Sequence, residues 1–223
     1  MQTLRNIQYI SGSWQGLQRD SNKDGYEIID AENYYIFLVF DGVSSSQNAQ
    51  MGVATLIRFC EENHQIYFKN NIFDLKHMME DMNICLLRSG LEFAETTCCA
   101  AYVPKNSAQK ITISHLGDSR IYALGERIKR CTRDDNHPKA PHLLTKYFGI
   151  RKISESDFYE TSFNAKASRL LMCTDGFYFV MEDNVDYFQN VFKSPSLDKA
   201  KLKIQQAIEG RNYDDATYIL VQM

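Results

Sequence analysis

The chain has 223 residues and a formal charge of −3, from 25 basic and 28 acidic side chains. This balance argues against a nucleic-acid-binding domain, which usually carries a strongly basic surface. Hydrophobic residues make up 44% of the chain, with only 11 Gly and 4 Pro, so we expect one folded domain over residues 1–223 with little linker sequence.

The first clear element is an apolar run, Tyr34–Phe40, which predicts a strand buried on both faces. It ends at Asp41 and Gly42. Apolar residues at helical spacing then predict two helices, over Asn48–Cys60 and Ile72–Leu87.

The second half of the chain is richer in predicted strands. We predict strands over Thr97–Val103, Ile111–His115, Ile121–Leu124, Arg169–Thr174 and Ala216–Gln222, and a helix over Asp198–Glu209. Strands come in consecutive runs and helices in pairs. This order favours an α+β layered domain with antiparallel sheets over a parallel βαβ alternation.

No segment predicts export or membrane insertion. The longest apolar run has seven residues, whereas a membrane span needs about 20. The first 13 residues lack the basic and apolar parts of a secretory signal. The six cysteines show no paired spacing, which is typical of buried reduced thiols. We therefore expect a cytoplasmic protein without a membrane partner.

Aspartates stand at the ends of three predicted strands. Asp41 and Asp175 each follow a buried strand and precede a glycine, and Asp214 comes just before the last strand. Each alone is typical of a turn. Together at one edge they would repel one another unless a divalent cation neutralised them, and carboxylate and carbonyl oxygens suit Mg²⁺ or Mn²⁺. Histidine is too sparse and irregular for a zinc hydrolase.

Five short segments carry the most specific pattern. They are Arg19-Asp-Ser-Asn-Lys-Asp24, Phe37-Leu-Val-Phe-Asp-Gly42, Thr96-Thr97 with Leu116-Gly-Asp-Ser-Arg120, Leu170-Leu-Met-Cys-Thr-Asp-Gly176, and Asp214-Asp-Ala-Thr217. In this order and at this spacing, they resemble the motifs of the metal-dependent (PPM-type, type 2C) serine/threonine protein phosphatases. Each motif is weak alone, and the five together are a strong signal.

The resemblance implies a fold and a metal site. The fold would be a four-layer α-β-β-α sandwich, with two antiparallel sheets between outer helices. Two Mn²⁺ or Mg²⁺ ions would lie at one rim. By position, Asp41 would bridge them and the Gly42 carbonyl would bind one, Asp175 and Asp214 would complete the shell of the second, and Asp24 would act through coordinated water.

Two further positions match by resemblance. Arg19 corresponds to the family's phosphate-binding arginine, and a guanidinium can bind two phosphate oxygens at once. Asp118 corresponds to a ligand of a third, weaker metal in bacterial relatives. It can equally be a residue of the β-turn that ends at Arg120.

The function implied is hydrolysis of phosphoserine and phosphothreonine in proteins, by direct attack of a metal-bridging water or hydroxide and without a phosphoenzyme. A phosphorylated protein is then the substrate, and a cognate serine/threonine kinase is an expected partner. Two alternatives stay open. The chain can be a weakly active or inactive binding module with this fold, or a phosphatase of a small phosphorylated metabolite.

The sequence departs from the family in two places. After Asp41 and Gly42 the family often has a Gly-rich turn with a histidine that protonates the leaving group; here Val43–Ser46 has none. The leaving-group acid is therefore unassigned, and Ser44–Ser46 are interpreted as N-cap residues of the next helix. The flap of bacterial relatives is reduced to Asp134–His142, so contacts from a long flap are missing.

Overall fold

The computed structural model describes residues 4–164 and 169–223, apart from the side chains of 141 and 142. In these ranges the strands are β1 Gln8–Trp14, β2 Gly25–Asp30, β3 Tyr34–Gly42, β4 Phe68–Lys69, β5 Ile72–Phe73, β6 Thr96–Pro104, β7 Ile111–Leu116, β8 Arg120–Leu124, β9 Ile128–Arg130, β10 Asn136–His137, β11 Ala140–Leu144, β12 Tyr159–Phe163, β13 Arg169–Cys173 and β14 Ala216–Gln222. The α-helices are α1 Ala49–Asn63, α2 Leu75–Arg88, α3 Asp175–Asp183, α4 Val185–Phe192 and α5 Leu197–Ile208.

Ten of these strands form two antiparallel sheets. The first has the order β1-β14-β13-β8-β9 and the second the order β12-β7-β6-β3-β2. Two small hairpins, β4–β5 and β10–β11, lie outside them. The second hairpin occupies the segment expected to replace a long flap.

Strand β3 shows how the layers arise from the sequence. Ile36, Leu38 and Phe40 point towards α1 and α2, whereas Phe37 and Val39 point towards the other sheet. Alternate residues of a strand face opposite sides, so a run that is apolar at every position can be buried on both. The prediction of a doubly buried strand is confirmed.

Helices α3, α4 and α5 cover the outer face of the first sheet. Phe177 and Phe188 of α3 and α4, and Ile204 of α5, pack against Leu171 and Tyr218 of the sheet. With α1 and α2 on the far side, this gives four layers. The α-β-β-α sandwich expected from the resemblance is confirmed.

The adjacent cysteines test the same alternation. Cys98 belongs to the cluster beneath α1 and α2, and Cys99 to the cluster between the sheets. All six cysteines are free, and Cys60 and Cys173 are buried as well. Cys85 and Cys131 are only half-buried, so the prediction of free thiols holds for all six cysteines and the prediction of burial for four. Across 4–164 and 169–223, no helix is long and apolar enough to cross a bilayer.

Two local predictions in the first half were wrong. The helix over Ile72–Leu87 begins later, because Ile72 and Phe73 form β5 and the Asp74 side chain caps α2 by accepting from the His77 amide at 3.1 Å. The serines do not cap α1. Its N-cap residue is Asn48, and the Ser46 hydroxyl donates instead to the Glu95 carboxylate.

Candidate metal centre

Sheet register brings the predicted carboxylates to one edge of the sandwich. Asp24 directly precedes β2, whose Gly25 pairs with Phe40 in β3, so Asp24 lies beside Asp41. In the other sheet, Cys173 pairs with Tyr218. Asp175 follows Cys173 by two residues, and Asp214 and Asp215 directly precede Ala216, the first residue of β14.

Close backbone packing explains the two glycines that follow Asp41 and Asp175. A Cβ on Gly176 would lie 2.2 Å from the Asp215 carbonyl oxygen, and one on Gly42 would lie 2.6 Å from the Lys23 carbonyl oxygen. Neither glycine has a positive φ. A left-handed backbone conformation is therefore not the reason for them. They let two chain segments touch where the carboxylates meet.

Asp215 fixes the loop that carries Arg19. Its side chain, 4% exposed, accepts from the amide nitrogens of Gly16 and Lys23, both at 2.8 Å. Asn212 adds a second tie by donating to the Gln15 carbonyl at 3.2 Å. Sequence reasoning missed both residues. The available signal for Asp215 was the adjacent pair Asp214 and Asp215, because one of two neighbouring carboxylates could hold the backbone in place instead of binding a metal.

Thr174 positions Asp24. Its hydroxyl donates to Oδ2 of Asp24 at 2.8 Å and accepts from the Thr217 amide at 2.9 Å. The hydroxyl is thus held on both sides, and it ties the exit of β13 to the entry of β2. Thr174 is a further residue that sequence reasoning did not assign.

Arg19 and Asp214 form a bidentate ion pair. Nε and Nη2 of Arg19 donate to the two carboxylate oxygens of Asp214, and this contact raises the pKa of Arg19. The predicted phosphate ligand and a predicted metal ligand are therefore brought together. Both carboxylate oxygens of Asp214 are thus engaged by Arg19 in the structure.

Burial and mutual repulsion disfavour full ionisation of the aspartates at this edge. Burial, followed by repulsion from Asp175 and Asp24, raises the pKa of Asp41 well above its usual value. Burial and the neighbouring Asp214 raise the pKa of Asp175 to about 7. The pKa of Asp24 is also raised, mainly by burial. These are carboxylates that gain from a nearby positive charge.

Asp118 lies between β7 and β8, facing the same edge. Burial, with a contribution from Asp134, raises the pKa of Asp118 to about 6, and its charge in turn raises the pKa values of Asp41 and Asp175. The turn beneath it requires Gly117, which has φ +103°. The role of Asp118 as a ligand of a third metal stays a prediction.

The donor set fits a hard divalent cation in its chemistry. Partly buried carboxylates that repel one another are the oxygen ligands that Mg²⁺ and Mn²⁺ prefer. Among the described residues, no three His, Cys, Asp or Glu side chains already form a group that could hold a metal ion. Binding of a cation would therefore need side-chain rearrangement at this edge.

A pH-dependent thermal shift is the first testable consequence. The pKa of Asp175 rises from 3.8 to about 7 on folding, so between these values the folded protein holds a proton that the unfolded chain has released. Stability in EDTA should therefore fall as pH rises through this window. We expect Mn²⁺, at a fixed concentration of about 100 times its Kd at pH 7.5, to raise Tm by about 5–10 °C at pH 7.5, and by less than half as much at pH 5.5.

Differential scanning fluorimetry with Mn²⁺ or EDTA at each pH measures this. NaCl at matched ionic strength is the control for a general salt effect. Equal Tm shifts at the two pH values would contradict a site made of these carboxylates.

Comparison with known proteins gives a family and a fold. The family model described as Protein phosphatase 2C matches residues 18–209. The serine/threonine phosphatase Stp1 from Staphylococcus aureus is 19% identical, covers 100% of this chain and 97% of its own, and superimposes with a TM-score of 0.81. No curated protein sequence matches the chain.

Two further solved structures agree. The PPM Ser-Thr phosphatase MsPP from Mycobacterium smegmatis, in complex with cacodylate, is 18% identical over 97% of this chain and 98% of its own, with a TM-score of 0.73. RsbX in complex with magnesium is 15% identical over 100% and 99% of the two chains, with a TM-score of 0.71. At these identities the likeness establishes the fold.

Proposed function

Because the chain belongs to the protein phosphatase 2C family, we propose that it is a Mn²⁺- or Mg²⁺-dependent phosphatase of phosphoserine and phosphothreonine in proteins. One observation carries the proposal. At a single edge of the sandwich, mutually repelling carboxylates converge beside an arginine that can bind phosphate. This group consists of Arg19, Asp24, Asp41, Asp175 and Asp214.

In this proposal the carboxylates hold two cations. Asp41 lies centrally, since the pKa of Asp41 responds to four neighbouring aspartates, and it would be shared by both ions. Asp175 and Asp214 would serve one ion, the Gly42 carbonyl would serve the other, and Asp24 would act through coordinated water. A bound pair of divalent cations would supply a water of lowered pKa and neutralise charge on the phosphate.

The chain's own side chains would bind and orient the phosphate of the substrate. Arg19, released from Asp214, would present its planar fork to two phosphate oxygens. Asp215 keeps the loop of Arg19 in place through two amides, and Thr174 holds Asp24. Among the side chains that the structure describes, we assign no leaving-group acid, since Val43–Ser46 contains no histidine.

The wider setting follows from the substrate. A protein phosphatase needs a kinase that phosphorylates its substrates, so we propose a cognate serine/threonine kinase as a partner. The catalytic domain would extend over the described residues, with a flap reduced to the β10–β11 hairpin. Six free cysteines support a reducing compartment such as the cytoplasm.

The test is hydrolysis of a phosphothreonine peptide and of p-nitrophenyl phosphate, with Mn²⁺, with Mg²⁺ and after EDTA. We expect metal-dependent turnover of both substrates that EDTA abolishes and added Mn²⁺ restores. Turnover of the aryl ester without the peptide would favour a small phosphorylated metabolite as the substrate. No turnover under any condition would favour an inactive binding module.

A further inference from the structure

A groove of about 800 Å³ leads away from the candidate metal centre, between α3, α4 and the end of α5. Asp175 and Asp214 line one end of it. Three aromatic rings that line it are largely exposed: Phe179 is 57%, Tyr187 43% and Tyr213 69% exposed. An apolar surface that continues from a candidate catalytic site is typical of a ligand-binding region.

The face of α3 that lines the groove gives it a direction. Asp175, Phe179 and Asp183 recur at every fourth residue, so they lie in one row along the helix. With a rise of 1.5 Å per residue, Phe179 lies about 6 Å and Asp183 about 12 Å along the axis from Asp175. An extended peptide advances about 3.3 Å per residue, so these steps correspond to about two and four residues.

Two charged groups of opposite sign border the aromatic rings. The Asp183 carboxylate and the Arg211 guanidinium both line the groove, and neither has a side-chain hydrogen bond or ion pair among the described residues. Arg211 precedes Asp214 by three residues, and Asp183 lies at the far end of α3. A basic ligand side chain is therefore disfavoured beside the metal centre and favoured at the distant end.

The wall of the groove is held in place by the protein itself. The Tyr187 hydroxyl donates to the Lys203 carbonyl at 3.1 Å, which ties α4 to α5. The ring of Phe179 contacts that of Tyr178, which is buried. An apolar centre on a fixed wall with charges at its rim matches the anatomy of a protein-recognition surface. A small phosphorylated metabolite would leave most of this surface unused.

We propose that the groove binds the segment of a phosphoprotein substrate next to the phosphorylated residue. A large apolar side chain two residues away packs on Phe179 and Tyr213, and a basic side chain four residues away pairs with Asp183. This inference rests on the proposed function and specifies its substrate class. It makes Phe179, Tyr213 and Asp183 specificity-determining residues.

The test compares phosphothreonine peptides that carry Leu or Ser two residues to either side of the phosphothreonine. We expect kcat/KM of the wild-type protein to favour Leu at least about fivefold on one side, through burial of the side chain. Phe179→Ala should reduce this preference to less than about twofold, and Tyr213→Ala should do the same. Leu202→Ala is the matched control, because Leu202 is 61% exposed on α5 outside the groove.

Charge is tested with Lys or Glu four residues away on the side that prefers Leu. The wild-type protein should prefer Lys, and Asp183→Lys should prefer Glu. Equal turnover of the Leu and Ser peptides would overturn the groove assignment while leaving the phosphatase proposal intact. A dimer of the wild-type protein that Phe179→Ala dissociates, seen by light scattering without a change in peptide preference, would overturn it in favour of a second copy of the chain.

Failure of the proposed function is recognised separately, by the absence of phosphothreonine-peptide hydrolysis, with or without turnover of p-nitrophenyl phosphate. In that case fluorescence anisotropy of fluorescein-labelled peptides still tests whether the groove binds the peptide. Tighter binding of the Leu peptide that Phe179→Ala weakens at least about fivefold would support it, and equal binding of the Leu and Ser peptides would contradict it.

Discussion

Asp41→Asn is expected to lower kcat/KM by more than about 100-fold while the protein stays folded. Replacing residues that only support metal ligands already costs about 10- to 100-fold, and we place Asp41 in direct contact with both cations. The charge of Asp41 is opposed by Asp24 and Asp175 in the folded protein, which contributes to its raised pKa. Loss of that charge relieves repulsion, so Tm in EDTA at pH 7.5 should not fall.

Steady-state kinetics with saturating Mn²⁺, together with Tm in EDTA, measure both expectations. Asp198→Asn, at an exposed carboxylate in the first turn of α5, is the matched control and should keep full activity. Wild-type turnover of Asp41→Asn with saturating Mn²⁺ would show that the proposed site is wrong. Asp175→Asn should behave like Asp41→Asn.

Asp215→Ala is expected to destabilise the protein by about 2–4 kcal/mol, because it leaves the amides of Gly16 and Lys23 without their acceptor. In a domain of this size the loss corresponds to a fall in Tm of about 5–10 °C. Activity should fall as well, since the loop between these amides carries Arg19. The effect on activity is indirect, through the position of that loop.

Asp215→Asn is the matched variant. Asparagine keeps only one acceptor oxygen for the two amides, so it should retain part of the stability that Asp215→Ala loses. Urea denaturation and phosphatase kinetics of both variants provide the test. If the Tm of Asp215→Ala lay within about 1–2 °C of the wild-type value, the role of Asp215 in holding the loop of Arg19 would be contradicted.

The sequence predicted long, doubly buried elements well. Strand β14 agrees with the prediction at both ends, and the predicted Tyr34–Phe40 run is extended by only two residues in β3. Such strands are apolar at every position because both faces are covered. Edge strands β1 and β12 were missed, since their half-exposed faces accept polar residues and leave no continuous apolar run.

Helix α3 was missed for a different reason. Its N-cap residue is Thr174, whose side chain makes no capping hydrogen bond. The hydroxyl donates to Asp24 instead, 150 residues away in the sequence. Asp175 and Gly176 were interpreted as a turn after the strand, whereas in the structure they are the first two residues of the helix.

The sequence by itself determined which residue types are available at the site, in what order, and on which strand ends. It could do so because aspartates next to buried strands must emerge at a sheet edge. Only the tertiary structure decided that Asp214 faces Arg19, that Asp215 clamps a loop, and that Gly42 and Gly176 serve close packing. These depend on contacts between segments far apart in the chain, which no local pattern encodes.

The small net charge of the chain conceals a concentration of acidic side chains at one edge of the fold. The chain carries a formal charge of only −3, yet its folding gathers aspartates at one edge until burial and repulsion raise the pKa of Asp175 to about 7. Composition determines the total charge. The sheet register alone determines that these charges meet, because pairing of strands distant in sequence places their ends side by side.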